Sequence, residues 1–125
     1  MIPFEKIAII GSGNVAYTYS KVLKDNGIMP EYILARDLNK VSKIEDLFGV
    51  KTTTDYDKLF DCDLIIVAVK DDAIEEVASR LHNYKGVLVH TSGTQSSSVL
   101  NVVENYGIIY PLQTISKDYD IDFRS

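Results

Sequence analysis

This sequence has one cysteine, two histidines, few prolines and no long apolar run, and each scarcity removes a class of chemistry. A single thiol, Cys62, cannot close an intrachain disulfide, which fits a reducing compartment. It stands just ahead of an apolar strand, where a small buried residue is the ordinary reading. His82 and His90 have no partners at zinc-ligand spacing, so no metal is expected. The 13 Lys and Arg are scattered among 18 Asp and Glu, giving a net charge of −5. That distribution offers no footprint for a phosphate backbone and argues against nucleic acid as a partner. The longest apolar run, Leu64 to Val69, is far too short to span a bilayer. Pro3, Glu5 and Lys6 interrupt the amino terminus where a signal peptide needs continuous apolar residues. The expectation is a cytoplasmic protein with no membrane partner. There is no repeat, low-complexity segment or internal linker, and 125 residues, 46% of them hydrophobic, suit a single domain with a real core.

The informative stretch is Lys6 to Ala16. Ile7 to Ile10 are all apolar, as in a parallel strand buried on both faces. Gly11 and Gly13 follow at once, and then Val15, Tyr19, Val22 and Leu23 recur at helical spacing. Strand, glycine turn and helix form the context in which G-x-G-x-x-A points to a bound dinucleotide. Gly11 permits the tight turn, Gly13 keeps the backbone open to a pyrophosphate, and the small Ala16 lets the helix lie close to the strand. The free N–H groups of the first helical turn then face the phosphates.

Downstream, strand and helix signals alternate. The first helix should stop at Asn26-Gly27, with Gly27 in the left-handed position. Glu31 to Ala35 reads as a second strand, and a helix follows with Val41, Ile44, Leu47 and Phe48 on one face and Gly49 as its stop. Val50 to Thr52 is a short third strand, and Thr54 to Asp57 a capped helical turn. Leu64 to Val69 is a central strand. Asp72-Ala73-Ile74-Glu75 reads as a capping box for a helix whose core stripe is Ile74, Val77, Ala78 and Leu81. Val87 to His90 is the fifth strand. The Ser96-Ser97-Ser98 run is expected to cap a helix burying Val99, Val103 and Tyr106, followed by a sixth strand over Gly107 to Tyr110. This pattern predicts an α/β fold: a doubly wound parallel sheet in three layers, with strand order 3-2-1-4-5-6 and a ligand crevice between strands one and four.

Four loops should meet at that crevice. The phosphate loop contributes Gly11, Ser12, Gly13, Asn14 and Val15. After strand two, Ala35 stands where an acid would hold a free ribose 2′-hydroxyl, and Arg36 follows it, suited to a 2′-phosphate. Lys40 adds a second charge. The balance favours NADP over NAD, although Asp37 lies next door. After strand four come Ala68, Val69 and Lys70, beside the expected ribose and nicotinamide. After strand five come His90, Thr91 and Ser92, with His90 a candidate proton donor and Ser92 an orienting group. Lys70, His90 and Ser92 are therefore the candidate catalytic residues.

The segments Gly11 to Ala16, Ala35-Arg36-Asp37, His90-Thr91-Ser92-Gly93 and Tyr110-Pro111-Leu112-Gln113-Thr114 together resemble a group of bacterial oxidoreductases of unassigned substrate. Those proteins pair a Rossmann NAD(P)-binding domain with a carboxyl-terminal helical domain of unknown function. They are similar in turn to pyrroline-5-carboxylate reductase and the deazaflavin-dependent NADP oxidoreductases. The resemblance implies NADP as cofactor, held by Gly11, Ser12, Gly13, Asn14, Val15 and Arg36, and hydride transfer to a small imine, ketone or similar substrate. Residues 1–125 correspond to the dinucleotide-binding domain alone. The resemblance places substrate closure and dimerisation largely in the helical domain, so these residues by themselves are expected to bind cofactor without turnover. A second reading is a non-catalytic NAD(P)(H)-binding redox sensor. The alternating tail Asp118 to Phe123 reads as a further strand.

Overall fold

The computed structural model describes residues 6–11, 13–25, 27–36, 49–91, 97–109 and 121–123. Strand β1 (Ile7–Ile10) leads through the glycine turn to helix α1 (Asn14–Asp25), then come β2 (Tyr32–Leu34), β3 (Lys51–Thr53), a 3-10 turn (Tyr56–Leu59) and β4 (Leu64–Val67). A second 3-10 turn (Asp71–Ala73) opens the helix Ile74–Ser79, which is followed by β5 (Val87–His90), a third 3-10 turn (Ser97–Leu100), β6 (Asn105–Ile109) and β7 (Ile121–Phe123). One seven-stranded sheet runs β3-β2-β1-β4-β5-β6-β7. The first six strands are parallel, in the predicted order, and β7 joins β6 antiparallel at the edge.

Strand alternation divides the core between the two faces of the sheet. Ile7, Ile9, Ile33, Leu64, Ile66 and Val89 pack with Ala16, Tyr19 and Leu23 of α1. Ala8, Ile10, Leu34, Ile65, Val67 and Leu88 pack on the other side with Ile74, Val77, Ala78 and Leu81. This gives the three layers expected of strands apolar on both faces. The end of α1 is a Schellman motif: Ile28 N–H donates to the Leu23 carbonyl at 2.8 Å and Gly27 N–H to that of Lys24 at 3.0 Å, with Gly27 at φ +78°. No helix among the described residues is long and apolar enough to cross a membrane.

Local structure departs from the sequence reading in four places. Val15 does not join the buried stripe of α1; it is 44% exposed, and Ala16, Tyr19, Ser20 and Leu23 form that stripe instead. The Asp72 capping box does not form. The chain turns earlier, as a 3-10 turn after Lys70, so the helix N-cap is Ala73, which has no side-chain acceptor. The helix expected after Ser96 is a 3-10 turn, because backbone pairing of β6 with β5 starts at Asn105, opposite Val87, and draws Tyr106 into the strand. Tertiary pairing wins over local periodicity there. Strand β4 ends at Val67, two residues early, although Ala68 still donates to the Ile10 carbonyl at 2.8 Å. The turn after β3 forms as read, with Asp55 accepting from Asp57 N–H. The helix expected over Val41 to Phe48 lies outside the described residues.

At the amino-terminal edge of the sheet, the buried Tyr84 hydroxyl donates to the Cys62 carbonyl at 2.6 Å. A Cβ on Gly86 would lie 2.3 Å from that hydroxyl, so the glycine is what allows the tyrosine to fold back over it. Burial, then the charges of Glu31 and Asp63, push the Cys62 thiol up to about 11, which makes it a packing group and a poor nucleophile. Burial also raises the Tyr19 and Tyr84 phenols well above their ordinary value of 10.0. Below about pH 10 these phenols are protonated in both folded and unfolded chains, and the stability they contribute is intact. Above it the unfolded chain ionises first and that stability is lost as pH rises. The melting temperature should hold level to about pH 9.5 and then fall, with tyrosinate absorbance appearing together with loss of helical ellipticity. Tyrosinate signal from all eight tyrosines in the still-folded chain would contradict this burial.

Candidate functional site

The glycine turn is shaped by two different requirements. Gly11 is buried at φ +140°, and a Cβ there would sit 2.3 Å from the Ala68 carbonyl oxygen and 3.5 Å from the Ala16 Cβ. Its N–H donates to the Leu34 carbonyl at 2.8 Å. The protein itself therefore demands glycine at this position, to let β1 pass β4 and α1. Gly13 differs in every respect. It is exposed, and a Cβ there would meet no atom of the described residues within 4 Å. Its carbonyl accepts from Tyr17 N–H at 3.0 Å, which starts the ladder of α1. The outcome is a small open surface of backbone at the amino end of a 12-residue helix, with the exposed Val15 beside it.

Parallel pairing of β2 with β1, β1 with β4 and β4 with β5 brings the predicted loops to one edge of the sheet. Ala35 is buried and donates its N–H to the Thr53 carbonyl at 3.1 Å, and the next residue, Arg36, is exposed. Ala68 is buried, Val69 half-buried and Lys70 exposed. Asn14 begins α1, and Thr91 is half-buried directly after β5. Ser12, Lys40 and Ser92 lie outside the described residues, as does the Pro111-Leu112-Gln113 segment.

His90 has no exposed surface. It continues a row across the sheet, Leu34, Ile10, Val67, His90 and Ile108, in consecutive register. Its side chain thus points to the face covered by the helix Ile74–Ser79, away from α1. Among the described residues, exposed cations at this edge are Arg36, after β2, and Lys70, after β4, one on each side of the glycine turn.

Sequence reading overlooked Tyr56. It opens the 3-10 turn after β3, half-buried, with the Arg80 guanidinium carbon 5.5 Å from its ring centroid. Burial raises its phenol, the positive charges of Arg80 and Arg36 oppose that, and Glu76 adds to it. Arg36 is thus among the charges that act on this phenol. The signal in the sequence was only positional: an aromatic residue three places beyond the end of the strand that neighbours β2. Two concavities of about 290 and 240 Å³ lie at the opposite, amino-terminal edge, around Lys6, Glu31 and Lys58 and around His82 and Lys85. Both are lined by opposed charges on the surface, and neither touches the glycine turn.

The sequence model of a family described as "NADP oxidoreductase coenzyme F420-dependent" matches residues 6–91. No curated protein matches the chain. Among solved structures, a protein from Bacteroides fragilis assigned as an NADP oxidoreductase is 28% identical, with a TM-score of 0.77 over 95% of this chain and 49% of that one. A pyrroline-5-carboxylate reductase from Coxiella burnetii is 24% identical, with a TM-score of 0.72 over 83% of this chain and 42% of that one. The prephenate dehydrogenase of A. aeolicus, solved with NAD+, shares the fold at 17% identity and a TM-score of 0.74, over 97% and 45%. The chain spans about half the length of these proteins or less.

Proposed function

This chain belongs to the family of F420-dependent NADP oxidoreductases, whose sequence model spans residues 6–91, and we propose that it serves as the NADP(H)-binding half of such an enzyme. The observation that carries this is the contrast between the two glycines. Gly11 is required by protein atoms, whereas Gly13 is required by none of those described, which is the mark of a position kept small for a ligand. The backbone N–H groups of the first turn of α1 would hold the pyrophosphate. Arg36 would pair with the 2′-phosphate in a bidentate manner. The cofactor, when bound, supplies the hydride.

Of the catalytic candidates, Lys70 is exposed beside the crevice, and its ammonium suits holding or donating a proton to a reduced imine or carbonyl. The burial of His90 supports a positioning role: it anchors the end of β5, from which Thr91 and Ser92 would face the nicotinamide. The substrate class we propose is a small imine or ketone; the imine is in keeping with the name of the Coxiella relative, a pyrroline-5-carboxylate reductase.

Calorimetric titration of the chain with NADPH and NADH tests the reading. NADPH should bind more tightly. Arg36→Ala should weaken NADPH by about 1.5–3 kcal/mol, the cost of a charged hydrogen-bonded pair, and leave NADH nearly unchanged. Equal affinity of the parent chain for both cofactors would overturn the NADP assignment.

A further inference from the structure

We infer that Tyr56, held in place by Arg80, is a second determinant of 2′-phosphate recognition beside Arg36. This rests on the cofactor reading above and extends it to a residue outside the glycine turn and the β2 loop.

The backbone brings the two positions together. Strands β2 and β3 are parallel, with Leu34 opposite Thr53, and the pairing is extended by the Ala35 N–H bond to the Thr53 carbonyl at 3.1 Å. The segments that follow, Arg36 on one side and Thr54 to Tyr56 on the other, leave the sheet as neighbours. The Tyr56 side is fixed by short polar contacts. Asp55 N–H donates to Thr53 Oγ1 at 3.0 Å, and Asp57 N–H donates to Asp55 Oδ1 at 3.0 Å, so the chain enters the 3-10 turn in one defined way. Tyr56 is the first residue of that turn, half-buried and partly open to solvent.

The ring itself is braced from the helix Ile74–Ser79 and its C-cap. Arg80 lies over the ring at 5.5 Å, and its guanidinium reaches Glu76 Oε1 at 3.9 Å. A cation over the face of an aromatic ring is attractive and directional, and the Glu76 carboxylate restrains the cation. The charged groups acting on the phenol from the packed elements are thus Arg80, Glu76 and Arg36. Partial burial outweighs the two cations and keeps the phenol protonated at neutral pH. That matters chemically. A protonated phenol donates a hydrogen bond to a phosphate oxygen, whereas a phenolate would repel it. The Arg36 guanidinium and the Tyr56 O–H donor would then meet the same anion, while a cofactor lacking the 2′-phosphate gains nothing from either.

The test uses the chain with two adenine nucleotides that differ by one group, 2′,5′-ADP and 5′-AMP, and with NADPH and NADH. Tyr56→Phe keeps the ring, the Arg80 contact and the fold, and removes the donor alone. It should weaken 2′,5′-ADP and NADPH by about tenfold, the cost of a hydrogen bond to a charged group, and change 5′-AMP and NADH by less than about twofold. Arg80→Gln should produce a smaller loss of the same selectivity, and Arg80→Lys, which restores a cation, should recover part of it. Tyr56→Phe that leaves the NADPH-to-NADH ratio unchanged, or that weakens all four ligands equally as a structural residue would, overturns the inference. If in the same series Arg36→Ala still abolishes the NADPH preference, the cofactor reading stands without Tyr56. A parent chain that binds none of the four ligands overturns both.

Discussion

Gly13→Val should abolish dinucleotide binding while the chain folds almost as before. No atom of the described residues lies within 4 Å of where a Cβ would stand on Gly13, and the residue is exposed, so the new side chain has room in the free protein. The cost to folding is that of a β-branched residue at the start of a helix in place of glycine, about 1 kcal/mol, a fall of roughly 3–5 °C in melting temperature for a domain of this size. The ligand sees something else. A pyrophosphate bound by the first N–H groups of α1 needs the backbone of residue 13 at van der Waals distance, and three added carbons hold it off. A loss of affinity on the order of a hundredfold or more is expected, at or above the upper end of what losing one charged hydrogen-bonded pair costs. Fluorescence titration with NADPH, run beside circular dichroism, reads both quantities. Retained helical signal with binding within tenfold of the parent would place the pyrophosphate elsewhere.

The parallel sheet and its order were legible because the central strands β1 and β4 are apolar and buried throughout and the intervening helices or turns bury a stripe. Ile74, Val77, Ala78 and Leu81 behave as their spacing requires, all buried. What was not legible depended on partners distant in sequence. The spacing Val99, Val103, Tyr106 fits a helix locally, yet β5 offers an unpaired edge to Asn105 and its successors, and the ladder bonds decide. Val15 fits the apolar stripe of α1 by period, but at the first turn that direction leads off the edge of the sheet, into the open surface beside Gly13. The candidate site divides the same way. The glycine turn and Arg36 announce themselves by residue type and order. Tyr56 does not, because its relation to Arg36 exists only through the β2–β3 register, and the burial of His90 follows only from its row across the sheet.

Gly11→Ala should be the mirror image of the first substitution: it should leave the ligand surface clear and damage the fold. At φ +140° an L-residue is strained whatever space surrounds it. Here there is no space either, since the added methyl would stand 2.3 Å from the Ala68 oxygen and 3.0 Å from its carbonyl carbon. Those are backbone atoms, which cannot swing away as a flexible side chain would. Ala68 is fixed by its N–H bond to Ile10 at 2.8 Å, and Gly11 by its own to Leu34 at 2.8 Å. Relief therefore requires opening β1 from β4 or from β2, at the centre of the sheet. Backbone strain and overpacking each cost about 1–3 kcal/mol, so a loss of about 3 kcal/mol or more is expected against a total stability on the order of 5–15 kcal/mol. The melting temperature should fall by roughly 10–15 °C. Ala68→Gly placed in the same chain should not restore it, because the obstruction is the carbonyl and not the Ala68 side chain. Urea denaturation of the parent, the single and the double variant measures this directly. Parental stability in Gly11→Ala would show that β1 and β4 do not approach as closely as 2.3 Å from that Cβ position requires; recovery in the double variant would assign the contact to the Ala68 methyl.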